Sequence, residues 1–177
     1  MAVIRIPDVK LAVSNFLNHF ESLSRLPFIS NVEIDSLFGE EIGAILHELE
    51  LYGRQEGFCL TCRSRCCLLV DCELYVPNFN RCSIYDFRPL LCRMHFCNKF
   101  APVHRELVKA VGDIFLESLL AVEHLNPAKT KLLDSPPLGN LAPDMVAVIR
   151  HFIKDFDEGL VDEPAALKSI AAELEKP

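Results

Sequence analysis

The 177-residue chain lacks several features that mark common classes of protein. It has no tryptophan and no basic strand interleaved with aromatic residues, which argues against a stacking surface for nucleic acid. No stretch approaches the roughly 18 apolar residues of a membrane span. Charged residues such as Arg5 and Asp8 also interrupt any run that resembles a signal peptide. We therefore expect a cytoplasmic protein that has no membrane partner, and nucleic acid is not an expected partner either.

The motifs of two large enzyme classes are missing as well. The seven glycines never occur as G-x-G, so the sequence lacks the Gly-rich turn that a methyltransferase of the usual nucleotide-binding kind needs. The sequence also lacks the Gly-x-Ser-x-Gly turn that holds a hydrolase nucleophile. The sequence therefore predicts no catalytic residue and gives no support for an enzyme.

Cysteine is absent from most of the chain but crowded into one segment, with the spacing C-x2-C-x3-C-C-x4-C-x9-C-x9-C-x4-C. An isolated buried cysteine behaves as a small hydrophobic residue and has no reason to cluster. Thiols packed this densely indicate bound metal, disulfides or redox chemistry. The candidate metal ligands are all eight cysteines: Cys59, Cys62, Cys66, Cys67, Cys72, Cys82, Cys92 and Cys97.

Composition favours metal among these three alternatives. A chain of this length, 50% hydrophobic, can bury a core without disulfides, and thiols in the cytosol are kept reduced. An even number of cysteines nevertheless keeps a four-disulfide framework open. The Cys59-x2-Cys62 spacing lets two thiolates converge on one ion. Adjacent side chains in extended backbone point to opposite faces, so Cys66 and Cys67 could serve two neighbouring sites. We expect zinc or iron, with an iron–sulfur cluster as one form of the latter, in one or two centres.

A basic island surrounds the cysteines of this acidic chain. Residues 54–105 hold eight Arg and Lys but four Asp and Glu, whereas the whole chain carries a net charge of −7. A four-thiolate centre has a net charge of about −2, so two centres would offset the local excess. Arginine commonly donates to metal-bound sulfur, and we expect Arg88 and Arg93 to do so. A phosphate-binding patch is the alternative, and His95 is an alternative nitrogen ligand.

Apolar residues outside the cysteines recur at helical spacing. The fold class is therefore mainly α: a single helical domain (1–177) with a Cys-rich, largely irregular metal-binding loop insert. The helical flanks are expected at 8–55 and 104–176, around the insert at 56–100, with short extended pieces near 68–70 and 74–76. The predicted helices are Asp8 to Leu23, Ser30 (in a capping box with Glu33) to Gly53, Arg105 to Leu125, Pro143 to Gly159 after a turn-rich connector at 135–143, and a peripheral one from Asp162.

Two motifs, C-x2-C-x3-C-C from Cys59 to Cys67 and C-x2-Y-x2-R-P-x2-C-R from Cys82 to Arg93, resemble the zinc- or iron-chelating cysteine-cluster family (the CxxCxxCC family). The resemblance covers about residues 59–97 and implies that the eight cysteines bind metal. The interval between the two motifs is shorter than is usual in that family, which leaves the role of Cys72 open.

The sequence thus predicts a metal-binding cysteine-cluster protein whose centres are structural or serve binding, together with an unidentified protein partner. An iron–sulfur electron-transfer or metal-handling protein is the first alternative. The second alternative is an accessory factor in protein modification, because the same cysteine family is similar to part of the flagellin lysine N-methylases.

Overall fold

A computed structural model describes residues 5–22, 27–62, 65–127 and 137–176. These residues contain α-helices and short 3₁₀ turns but no strand, which confirms the mainly α prediction. None of the described helices is long and apolar enough to cross a membrane. The helices are α1 (Val9–His19), α2 (Asn31–Phe38), α3 (Glu40–Gln55), α4 (Phe58–Cys62), α5 (Arg65–Leu69), α6 (Leu90–Met94), α7 (Ala101–Leu125), α8 (Pro143–Asp157) and α9 (Glu163–Leu174).

The predicted helix from Ser30 to Gly53 is two helices. Its capping box is confirmed: the Glu33 amide donates to Ser30 Oγ at 3.3 Å, and the Ser30 amide donates to Glu33 Oε2 at 2.8 Å. Gly39 then separates α2 from α3 with a φ of 91°, a conformation that glycine adopts at little cost. The chain turns at this point, so α2 and α3 pack against each other.

Gly53 does not end α3, which continues to Gln55. A Cβ atom at this position would lie 2.6 Å from the Phe100 ring, so the glycine lets that ring pack directly on the helix backbone. Phe100 immediately precedes α7. The contact therefore holds the end of the cysteine-rich segment against α3.

The N-terminal helices and α7 surround a first hydrophobic core. Phe16 of α1 stacks on Phe38 of α2 with ring centroids 5.1 Å apart. The predicted first helix ends at His19 and continues as a 3₁₀ turn to Ser22, while Leu23 lies outside the described residues. Helices α3 and α7 contribute eight buried apolar side chains to this core: Ile42, Ile45, Leu46, Leu49, Leu107, Val111, Ile114 and Val122.

A second hydrophobic core lies between α8, α9 and the middle of the cysteine-rich segment. Phe79 packs edge-on against Phe156 of α8 with ring centroids 4.6 Å apart. The last helix is not peripheral, contrary to the prediction, since α9 buries Leu167 and Ile170 here. The start of the 135–143 connector lies outside the described residues, and its remainder adds the buried Leu138.

The cysteine-rich segment contributes to both cores rather than looping away from the helices. Leu74 and Ile84 are buried in the second core, whereas Leu90 and Met94 of α6 are buried in the first. The expected extended piece at 68–70 is wrong, because its first two residues complete α5, and no strand forms at 74–76. Helix α6 begins directly after Pro89, as the Arg88-Pro89 pair predicts.

Burial of α9 leads to a stability prediction. Ile170→Ala should lower the free energy of unfolding by about 2–5 kcal/mol, since it removes a fully buried side chain from the second core. Lys168→Ala on the exposed face of the same helix is the matched control and should unfold with the native midpoint. Urea denaturation measures both variants, and equal midpoints would show that α9 is peripheral after all.

Candidate metal centre

The structure places the eight cysteines on several short elements that face one another. All eight are described, all are free thiols, and no disulfide joins any two of them. Helix α4 carries Cys59 and Cys62 one turn apart, α5 carries Cys66 and Cys67, and α6 carries Cys92. The remaining three cysteines occupy turns: Cys72 follows α5, Cys82 precedes the 3₁₀ turn Tyr85–Phe87, and Cys97 precedes the 3₁₀ turn Asn98–Phe100.

A cavity of about 590 Å³ brings the predicted ligands together. Every cysteine except Cys62 lines this cavity, and the Cys62 sulfur lies 3.7 Å from the carbonyl oxygen of Cys59, which does line it. Arg88 and Tyr85 form part of the same wall. The alternative ligand His95 also reaches the cavity from an exposed position. Residues that are up to 38 positions apart in sequence thus share one pocket.

The Cys67 thiol interacts with two neighbouring thiols, those of Cys66 and Cys82. This interaction lowers the pKa of Cys66 to about 6 and also lowers the pKa of Cys82, whereas it raises the pKa of Cys67. Thiolates are the form that binds metal, so a lowered pKa favours metal binding at Cys66 and Cys82.

The helical backbone of α5 changes the argument for the adjacent pair. Successive side chains of an α-helix diverge by about 100°, since one turn takes 3.6 residues, so Cys66 and Cys67 do not point to opposite faces as extended backbone would require. The prediction that this pair is extended is wrong. Both thiols nevertheless act on Cys82, and Cys66 also acts on Cys59, Cys72 and Cys92.

Burial is the main cause of the pKa shifts of three other thiols. It raises the pKa of Cys59 and of Cys72 to about 11, and the pKa of Cys92 to about 12. Neighbouring cysteines raise these pKa values further: Cys66 acts on Cys59, and Cys82 acts on both of the others. Perturbed pKa values of this kind concentrate at functional sites.

The eight side chains are of a type that binds zinc or iron, but their sulfur atoms are not arranged around a common point. Within the described ranges, no three Cys, His, Asp or Glu side chains converge closely enough to hold an ion as they stand. Thiolates are the ligands that zinc and iron–sulfur clusters select. Each cysteine has a single side-chain torsion with three staggered positions, so rotation within the shared cavity changes which sulfurs converge.

Arg88 supports the chain next to the thiols. Its Nε donates to the Tyr85 carbonyl at 2.7 Å, and its Nη1 donates to the Cys92 carbonyl at 3.3 Å. Its guanidinium lies 4.0 Å from the centroid of the Tyr85 ring and forms an ion pair with Glu50. Arg88 thus reaches across the start of the helix that carries Cys92, but its acceptors are oxygens and not the sulfur that was expected. It reaches the backbone there, and its charge counteracts the rise in the pKa of the Cys92 thiol.

Arg93 has a different role from the one expected. Its side chain is only 2% exposed and lies in the core, where it donates to the carbonyls of Asp86 at 2.9 Å and Ile29 at 3.3 Å and to the side chain of Asn31. It also lies 3.3 Å from Glu50 Oε1. All of these acceptors are oxygens, so the prediction that Arg93 donates to sulfur is wrong.

Glu50 is the residue that the sequence analysis missed. It lies on the apolar face of α3, four residues after Leu46 and next to Leu49, and it is 3% exposed. A carboxylate on the buried face of a helix costs free energy unless it is paired. The position of Glu50 among apolar residues was therefore the sign in the sequence that it has a special role. A buried carboxylate there requires cationic partners from elsewhere in the chain, and these are Arg88 and Arg93.

Comparison of the chain with known protein families, curated proteins and solved structures finds no match. The function of the protein is therefore inferred from the cavity, its thiols and the motif residues that line it.

The buried position of Arg93 leads to a second stability prediction. Arg93→Ala should destabilise the fold by about 3–5 kcal/mol, because breaking a buried ion pair leaves the polar groups around it without partners. Lys109→Ala, which removes the exposed ion pair with Asp113, is the control and should leave the unfolding midpoint unchanged. Denaturant titration with near-native stability for Arg93→Ala would contradict this assignment.

Proposed function

We propose that the protein binds zinc or iron through its cysteine cluster, with thiolates as the ligands. The observation that carries this proposal is the shared cavity, whose wall includes seven of the eight cysteines with every thiol free. Free thiols also fit a reducing compartment such as the cytoplasm. The resemblance of the motifs from Cys59 to Arg93 to the CxxCxxCC family supports the same chemistry, and we propose membership of that family on these residues.

The neighbourhoods of the thiols favour two centres rather than one. Cys59 is influenced by Cys62 on the same helix, by Cys97 before α7 and by Cys66 on α5. Cys66 also acts on Cys72, Cys82 and Cys92, so it lies between the two groups. On the other side, Cys67 contacts Cys82, and both Cys72 and Cys82 pack against the second hydrophobic core. Four cysteines are the usual ligand set for a structural zinc ion or an iron–sulfur cluster. The proposed ligand sets are Cys59, Cys62, Cys66 and Cys97 for the first centre, and Cys67, Cys72, Cys82 and Cys92 for the second.

A structural role for the first centre follows from the burial pattern. Each of the helices α4 and α5 has only five residues, and none of them is fully buried. Phe58 of α4 packs against the first core and the Phe100 ring, whereas α5 has no residue in either core. Isolated helices shorter than about 12 residues are marginal in water, so α5 above all needs another source of stability. Metal binding supplies folding free energy that such a segment lacks. The segments around 74–84 and 90–100 are anchored separately by buried apolar side chains.

Metal handling is a second candidate because two of the proposed ligands are accessible. Cys66 and Cys97 are exposed, whereas the other six cysteines are partly buried. Thiol exchange and metal transfer both depend on access to the sulfur. A centre with two exposed ligands could therefore pass its ion to a partner protein, which keeps the metal-delivery and electron-transfer alternatives within this proposal.

The two-centre arrangement predicts a metal content. Protein purified without oxygen should contain two zinc ions or two iron–sulfur clusters per chain, because the eight thiols form two sets of four. Cys59→Ser with Cys62→Ser should remove one equivalent, and Cys72→Ser with Cys92→Ser the other. Elemental analysis, acid-labile sulfide and a visible spectrum distinguish zinc from iron.

Thr61→Ala, an exposed change on α4 between two proposed ligands, is the control and should keep the full metal content. Protein that carries no metal and shows four disulfides by mass would overturn the proposal.

Metal removal should act locally. Chelation should raise the rate of amide hydrogen exchange in α4 and α5, whose described residues are not buried, and should leave α6 and residues 74–84 protected. Exchange measured by mass spectrometry with and without chelator provides the comparison. Uniform loss of protection over 59–97 would instead mean that metal organises the whole segment, and unchanged exchange in α4 and α5 would argue against a structural role.

A further inference from the structure

Glu50 connects the helical core to the cysteine cavity. Its backbone belongs to α3 and its side chain is buried, yet it is one of the residues that line the cavity. Its carboxylate pairs with Arg88 and lies 3.3 Å from Arg93. Arg88 lies just before Pro89, and Arg93 lies in the last turn of α6, the helix that carries Cys92. One carboxylate therefore holds both ends of this short element.

The connection from Glu50 to Cys92 passes through Arg88. The Arg88 side chain is 14% exposed, and its three nitrogens are each occupied, by Glu50, by the Tyr85 carbonyl and by the Cys92 carbonyl. The guanidinium is flat and its N–H groups form a rigid fork, so fixing one edge orients the others. Its position is therefore determined by the carboxylate on one side and by the backbone around Cys92 on the other.

We propose that Glu50 is a positioning residue for the part of the cysteine cluster that contains Cys82 and Cys92. Through Arg88 it fixes the backbone at Cys92 and at Tyr85, in the turn that follows Cys82. Its effect on metal retention rests on the proposed function, whereas its effect on the geometry of the thiols does not.

Loss of the carboxylate charge should act selectively. Without it, two guanidinium groups share a buried space with no anion, and a buried charge without a partner moves toward water or another acceptor. Arg88 is the more exposed of the two and should move first. That movement releases the Cys92 carbonyl and the nearby backbone, whereas the hydrogen-bond partners of Arg88 all lie outside α7.

The test uses Glu50→Gln, which keeps the shape of the side chain and removes its charge. Amide hydrogen exchange in metal-free, reduced protein is followed by mass spectrometry under native conditions. The measured quantity is the exchange rate of residues 82–94, which include Cys82 and Cys92, relative to that of α7 in the first core. We expect this ratio to rise about tenfold, and zinc affinity in a chelator competition to fall about 10–100-fold.

Leu49→Ala separates positioning from general destabilisation. Leu49 precedes Glu50 on the same helix and is fully buried, but it has no part in the ion pairs, so its removal should leave the ratio unchanged even where all rates increase. Asn31→Ala, which removes a partner of Arg93 only, should also leave it unchanged. If Glu50→Gln does not fold, Arg88→Gln breaks the same connection at its other end and should raise the ratio equally.

The outcomes distinguish this inference from the proposed function. An unchanged exchange ratio in folded Glu50→Gln, or an equal change in Leu49→Ala, overturns the positioning role whatever the metal content. Native protein that binds neither zinc nor iron overturns the metal-binding proposal, while a selective rise in the ratio still supports Glu50 as the residue that positions Cys82 and Cys92.

Discussion

The buried ion cluster of Glu50, Arg88 and Arg93 is the constraint on which the arrangement of the cysteines depends. Charges removed from water are costly unless each finds a partner of good geometry, and here a carboxylate on α3 receives two guanidinium groups from around α6. Since the partners are far apart in sequence, the cluster can form only when α6 is docked on α3. It therefore couples the position of Cys92 to the folding of the helical core.

The two hydrophobic cores complete this arrangement. The first core holds α6 and the chain up to Phe100, and the second holds the stretch from Leu74 to Ile84. The cysteine-rich segment therefore spans the two cores and brings its thiols to one cavity without relying on metal for all of its order. Helices α4 and α5 are less firmly held, because α4 contributes only the partly buried Phe58 and α5 contributes no residue to either core. Metal binding, if it occurs as proposed, would stabilise this part of the segment.

Much of the fold was predictable because it depends on local patterns. Apolar periodicity identified the long helices, and the Ser30 and Glu33 capping box marked the start of α2. One error has a local cause, because the backbone of Gly39 divides the predicted second helix into α2 and α3. Other errors involve tertiary packing. Helix α3 continues through Gly53, where the Phe100 ring packs on it, and the second core buries the face of α9 that looked too weakly apolar to matter. Leu68 adopts helical backbone in α5 rather than the extended backbone expected of it.

The sequence by itself determined the mainly α class and the identity of the candidate ligands, because helical periodicity and a dense set of thiols are visible without coordinates. Only the tertiary structure decided which thiols are neighbours and what the arginines do. Arg88 and Arg93 are five residues apart in the same motif, yet one reaches the backbone at Cys92 beside the cavity and the other enters the core. That difference depends on Glu50, whose position opposite both arginines comes from the packing of α3 and not from any spacing along the chain.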